Sequence, residues 1–142
     1  MDAGDVRFLE RAFTVQLVDF IKNSIKMSIK VYGIKSCDTM KKTFDFLEEK
    51  GVRFDFEDYK KQELTPELLE GFLAKTTLEF LVNKKGTTYR KIDDSQKLAL
   101  EKNETAIPVL IENPSMIKRP LITYPDGSLT LGFVPEKISE KL

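Results

Sequence analysis

The sequence predicts an α/β domain whose elements run β-α-β, then a helical insertion, then β-β-α, closing a mixed sheet. Three stretches carry that prediction. Ile29 to Ile34 is an apolar strand pattern that passes through a turn at Gly33 to Ser36 into an amphipathic helix. Val52-Arg53-Phe54-Asp55-Phe56-Glu57-Asp58-Tyr59 alternates apolar and polar residues with the period of two expected of a strand with one buried face. Pro120 to Tyr124 and Leu129 to Phe133 are short strands joined by Pro125-Asp126-Gly127-Ser128, a hairpin signal because Asp-Gly supplies positive φ angles.

Ahead of these lie residues 1–26, which precede a second methionine, Met27. Phe8, Leu9, Phe13, Leu17, Phe20 and Ile21 recur there at helical spacing, with Arg7, Glu10, Arg11 and Asp19 around them, and predict an amphipathic helix. Asp2, Asp5 and Asp19 argue against a secretory or transit peptide, and the apolar runs are too short to span a bilayer. Three readings of this extension stand open: a helix that docks on the domain or a partner, an upstream start codon, or an artificial leader.

The first helix of the domain, residues 27–142, carries Phe44 and Leu47 inward and ends before Gly51. Thr65-Pro66-Glu67 starts the next, a capping residue followed by proline, with Leu68, Leu69, Phe72 and Leu73 as its apolar face. Leu78 to Val82 predicts a helical turn, and Asn83 to Arg90 a polar loop. Asp93-Asp94-Ser95 opens a helix to about Lys102, and Ala106 to Glu112 forms another with Pro108 in its first turn, where a missing donor does little harm. Pro135 to Leu142 supplies the last helix.

Of the 142 residues 41% are hydrophobic, and 23 lysines and arginines match 23 aspartates and glutamates, the composition of a soluble globular chain. That balance gives no global electrostatic case for nucleic acid or an acidic membrane. Histidine is absent, which removes the usual general base and the commonest metal ligand. One cysteine permits no internal disulfide, so the sequence points to a reducing compartment and to no bound metal.

That cysteine, Cys37, falls at the N-terminus of the first helix, where unpaired backbone N–H groups carry partial positive charge and favour a thiolate. A free thiol with a pKa near 8.5 is only about 3% ionised at pH 7, so even a modest fall in pKa raises reactivity severalfold. Lys41, one turn on, adds a cation, while Asp38 opposes it. A lone cysteine is also commonly a small buried hydrophobe. Both readings stand on the local pattern alone.

Gly33-Ile34-Lys35-Ser36-Cys37-Asp38-Thr39-Met40-Lys41-Lys42 resembles the active-site turn of the arsenate reductase (ArsC) family, most closely its YffB branch, a thioredoxin-fold group that also includes the regulator Spx. The resemblance spans residues 27 to about 139. It implies a second half of the site at Ile117-Lys118-Arg119-Pro120-Leu121, with a cis Arg119–Pro120 peptide and with Arg119 holding an oxyanion, thiolate or carboxylate through its planar fork. The bland alternative for Arg119 is a surface ion pair. Ser36 and Thr39 are candidate donors around Cys37, and both also suit a turn and helix start for local reasons. Gly86 to Lys91 resembles a loop of the YffB branch, in which Arg90 touches a glutathione carboxylate or simply lies in solvent.

Departures from the pattern bear on substrate. Arsenate reductases of this family hold the oxyanion with three arginines; here the other two positions are Glu79 and Phe133, and a carboxylate repels a dianion. Met40 replaces the second cysteine of the Spx switch. The resemblance implies a cytoplasmic, glutathione-dependent thiol reductase with Cys37 and Arg119 as catalytic residues, Lys41, Ser36, Thr39, Pro120 and Arg90 as substrate contacts, and glutathione as co-substrate rather than bound cofactor. Its rivals are an Spx-like regulator that binds the RNA polymerase α subunit without turnover, and arsenate reduction.

Overall fold

The structure is a computed structural model and describes residues 28–142. The extension at residues 1–26, with its expected helix, lies outside the described residues.

Four strands form one sheet in the order β2-β1-β3-β4: β1 (Ile29–Gly33), β2 (Phe54–Asp58), β3 (Leu121–Thr123) and β4 (Leu129–Leu131). β1 pairs with β2 in parallel and with β3 antiparallel, and β3 pairs antiparallel with β4, so the sheet is mixed as the sequence predicts. Alternation along the strands divides the core in two. Ile29, Val31 and Ile122 point to one face, where they meet Met40 and Leu47 of α1 (Asp38–Glu49) and Ile138 of α7 (Pro135–Glu140). Tyr32, Ile34 and Leu121 point to the other, where they meet α2 (Pro66–Leu73) and α6 (Asn103–Glu112) through Leu69, Phe72, Ala106 and Leu110. The parallel β1-β2 crossover puts α1 on one face, and the helices after β2 cover the other.

Between α2 and α6 the insertion holds α3 (Leu78–Leu81), α4 (Thr87–Lys91) and α5 (Asp94–Ala99). Capping follows the sequence: Thr65 accepts a hydrogen bond from the Leu68 N–H at 3.2 Å, and Asp93 exchanges bonds with Gln96 in a full capping box.

Four expectations need correction. The polar loop from Asn83 to Arg90 contains α4, whose threonines are poor helix formers; a Thr88–Ser115 hydroxyl pair at 2.7 Å ties it to the segment before β3, so a tertiary contact overrides local propensity. α6 begins at Asn103, three residues early, which places Pro108 inside the helix; Glu104 and Pro108 are both exposed, so the interrupted backbone bond faces solvent. The helix opened by Asp93 stops at Ala99 rather than Lys102. In the hairpin only Gly127 takes a positive φ, 85°, after a turn closed by its N–H to the Tyr124 carbonyl at 3.0 Å, so Asp126 needs no left-handed geometry and the loop spans five residues.

Candidate active site

The site forms where β1 ends and β3 begins. β1 delivers the chain into the turn at Lys35 and Ser36, and the Cys37 carbonyl accepts the Lys41 N–H at 3.1 Å, so Cys37 is the N-cap of α1 in extended geometry (φ −125°, ψ 132°). Its side chain is half-buried. Met40 anchors the turn from beneath. It is fully buried and lies so close to Gly33 that a Cβ there would sit 2.5 Å from the Met40 sulfur and methyl. On the next turn the buried Thr43 hydroxyl donates to the Thr39 carbonyl at 2.8 Å.

Partial burial pulls the Cys37 thiol up, but the backbone N–H groups of Met40 and Thr39, then the Arg119 guanidinium and the Thr39 hydroxyl, together outweigh it and hold the thiol below its ordinary value. These influences favour the thiolate, and the same side chain packs against the core of Met40, Leu47 and Ile122. The cation that acts is Arg119, brought from the start of β3, while Lys41 stands exposed one turn along the helix. The Lys41 part of the expectation therefore passes to Arg119, a side chain distant in sequence.

Arg119 precedes Pro120 through a cis peptide, and the Pro120 carbonyl accepts the Gly132 N–H at 2.9 Å. The guanidinium also acts on Tyr59, whose N–H donates to the Gly33 carbonyl at 2.8 Å. Burial pushes the Tyr59 phenol far above its ordinary value, Tyr32 adds to this, and Arg119 opposes it; the hydroxyl is buried with no partner among the described residues. By its alternating pattern alone Tyr59 is only the end of a strand. Its signal was available, since a polar aromatic directly after a parallel strand lands at the same sheet end as Cys37.

Cys37, Thr39 and Arg119 thus converge. Ser36 is exposed beside the thiol, and Arg90 is exposed on α4. Phe133 packs edge-on against Phe46 with ring centroids 5.8 Å apart, and Glu79 lines a separate groove of about 600 Å³ with Lys84, Tyr89, Asp94 and Lys97. Among the described residues no group of three His, Cys, Asp or Glu side chains is placed to hold a metal.

A family model described as the ArsC family matches residues 32–141. The chain belongs to the ArsC family. An uncharacterized protein of Haemophilus influenzae is 41% identical to this ArsC-family chain over 105 residues, 74% of this chain and 90% of that one. A solved structure described as a YffB protein is 39% identical, covers 81% of this chain and 99% of its own, and superposes with a TM-score of 0.75. An arsenate reductase (ArsC) related protein from Brucella melitensis is 40% identical, covers 80% and 93%, and has a TM-score of 0.64. The sheet and its flanking helices are therefore the thioredoxin-like fold of ArsC proteins. No helix among the described residues is long and apolar enough to cross a membrane.

Proposed function

We propose that this ArsC-family protein is a cytoplasmic, glutathione-dependent thiol reductase that works through Cys37 alone. The observation that carries the reading is a cysteine whose ionised form is favoured by two helix N–H groups and by Arg119, in a chain with no second cysteine to resolve a disulfide. The Cys37 thiolate attacks the glutathione sulfur of a mixed disulfide R–S–S–G; the S–S bond breaks, R–S⁻ leaves and takes a proton from water, and Cys37 is left bonded to glutathione. A second glutathione thiolate attacks that sulfur, forming glutathione disulfide and restoring the Cys37 thiolate. One free glutathione thiol is thus consumed for each R–S–S–G reduced, the other half of the glutathione disulfide coming from the substrate, and Arg119 stabilises sulfur anions at both steps.

Arsenate reduction is the weaker reading. Phe133 is engaged in packing against Phe46, and Glu79 lines a groove elsewhere, so Arg119 alone remains to hold a dianion at the thiol. A role as an RNA polymerase partner draws on the family likeness alone.

Turnover of a glutathionylated peptide, followed by glutathione disulfide release, tests the proposal. Cys37→Ser abolishes it, and Arg119→Ala lowers kcat/KM by about tenfold to a hundredfold, the scale of one charge-assisted contact to a developing anion. Full activity in Cys37→Ser would overturn the mechanism.

A further inference from the structure

The β4 edge, one of the two edges of the sheet, points to a second surface, independent of the thiol chemistry. β4 pairs only with β3 among the described residues. The Tyr124 N–H donates to the Ser128 carbonyl at 2.9 Å, and the Gly132 N–H donates to the Pro120 carbonyl at 2.9 Å. These two bonds set the phase of the antiparallel ladder, so Ile122 and Thr130 are the doubly bonded pair between them. The N–H and C=O groups of Leu129 and Leu131 therefore point away from β3. They face a groove of about 380 Å³ that β4 lines along its length.

The chemistry of that groove is one-sided. Lys75, Lys118 and Lys137 line it, no carboxylate does, and none of the three is ion-paired among the described residues. Phe80, 58% exposed, supplies an apolar wall beside the half-buried Leu129 and Leu131. Two outward donors, two outward acceptors, an apolar wall and three unpaired cations suit an extended segment that alternates acidic and apolar side chains.

We propose that the β4 edge is a docking site for an acidic extended peptide segment of a partner protein, which adds to the sheet as a fifth strand. Charge selects the occupant. A second copy of this chain aligned on the same edge brings its own lysines against these, and that repulsion discourages edge-to-edge pairing while an acidic strand is attracted. Lys118, in the lining of the groove, is next to Arg119 in sequence.

The test uses the full chain and a fluorescent hexapeptide alternating glutamate with valine, alongside a matched peptide alternating lysine with valine. The acidic peptide binds and the basic one does not. Binding weakens about tenfold in the Lys75→Glu/Lys137→Glu double variant, and weakens as salt is raised. Amide hydrogen exchange supplies the geometric readout: Leu129 and Leu131 exchange freely in the protein alone and are protected by the acidic peptide, whereas Thr130, already bonded to Ile122, is protected in both. Equal binding of the two peptides, unchanged affinity in the double variant, or absent protection at Leu129 and Leu131 overturns the proposal. Protection of those two amides without peptide also overturns it, and assigns the edge to a second copy or to residues 1–26.

Discussion

The Cys37 thiol is held down by groups that favour its anion, so its alkylation rate rises with pH through a midpoint lowered from the ordinary thiol value. Arg119→Ala removes one lowering influence and moves that midpoint up. Thr39→Val removes the hydroxyl, leaves the backbone N–H, and produces a smaller upward shift. Iodoacetamide rates against pH check all three, because the chain has one thiol and one signal. The same shift is linked to stability. A pKa lower in the folded than in the unfolded chain stabilises the fold above the unfolded thiol value, and that contribution disappears as pH falls through the folded value. The stability lost in Cys37→Ser is therefore larger at about pH 9 than at about pH 6, measured by urea unfolding.

Between β1 and α1, the turn that aims the cysteine has no side chain at Gly33, and the buried Met40 fills that space. Gly33→Ala brings a Cβ onto the flexible end of the buried Met40, which must shift, and costs about 1 kcal/mol in urea unfolding. Shortening Met40 relieves the clash, so Gly33→Ala/Met40→Ala costs less than the sum of the single changes. Strict additivity would show that Met40 does not constrain the turn. At the start of α2, Thr65→Ala removes the acceptor for the Leu68 N–H and costs about 1 kcal/mol by the same measurement. The segment from Thr87 to Lys91 shows where local reasoning stops: two threonines and a tyrosine read as loop, and the helix forms because Thr88 finds Ser115 across 27 residues of chain.

Across the whole molecule, the sheet separates two cores that meet different helices. Leu121 and Ile122 are adjacent in β3, both fully buried, and face opposite sides. Truncating either to alanine removes packing from one core only, yet each costs about 2–5 kcal/mol, because strands and helices on both faces unfold together. A single unfolding transition in both variants checks that cooperativity. With one cysteine per chain, oxidation by glutathione disulfide adds one glutathione and no internal bridge, readable by intact mass. The adduct is absent in Cys37→Ser.

Much of this was legible in the amino-acid order alone. Period-two runs marked the strands, Thr65-Pro66 and Asp93-Asp94 marked helix starts, and Cys37 fell at a strand-to-helix turn, because these features arise from interactions within a few residues. The likeness of Gly33 to Lys42 to ArsC proteins added Arg119–Pro120. What the sequence alone left open was which cation acts on the thiol, that the Tyr59 hydroxyl is buried with no partner among the described residues, that Phe133 packs on Phe46, and that three lysines line one open edge. Each depends on side chains brought together by the sheet from dozens of residues apart. Local periodicity carries no record of such distances, and only the folded arrangement of strands and helices decides them.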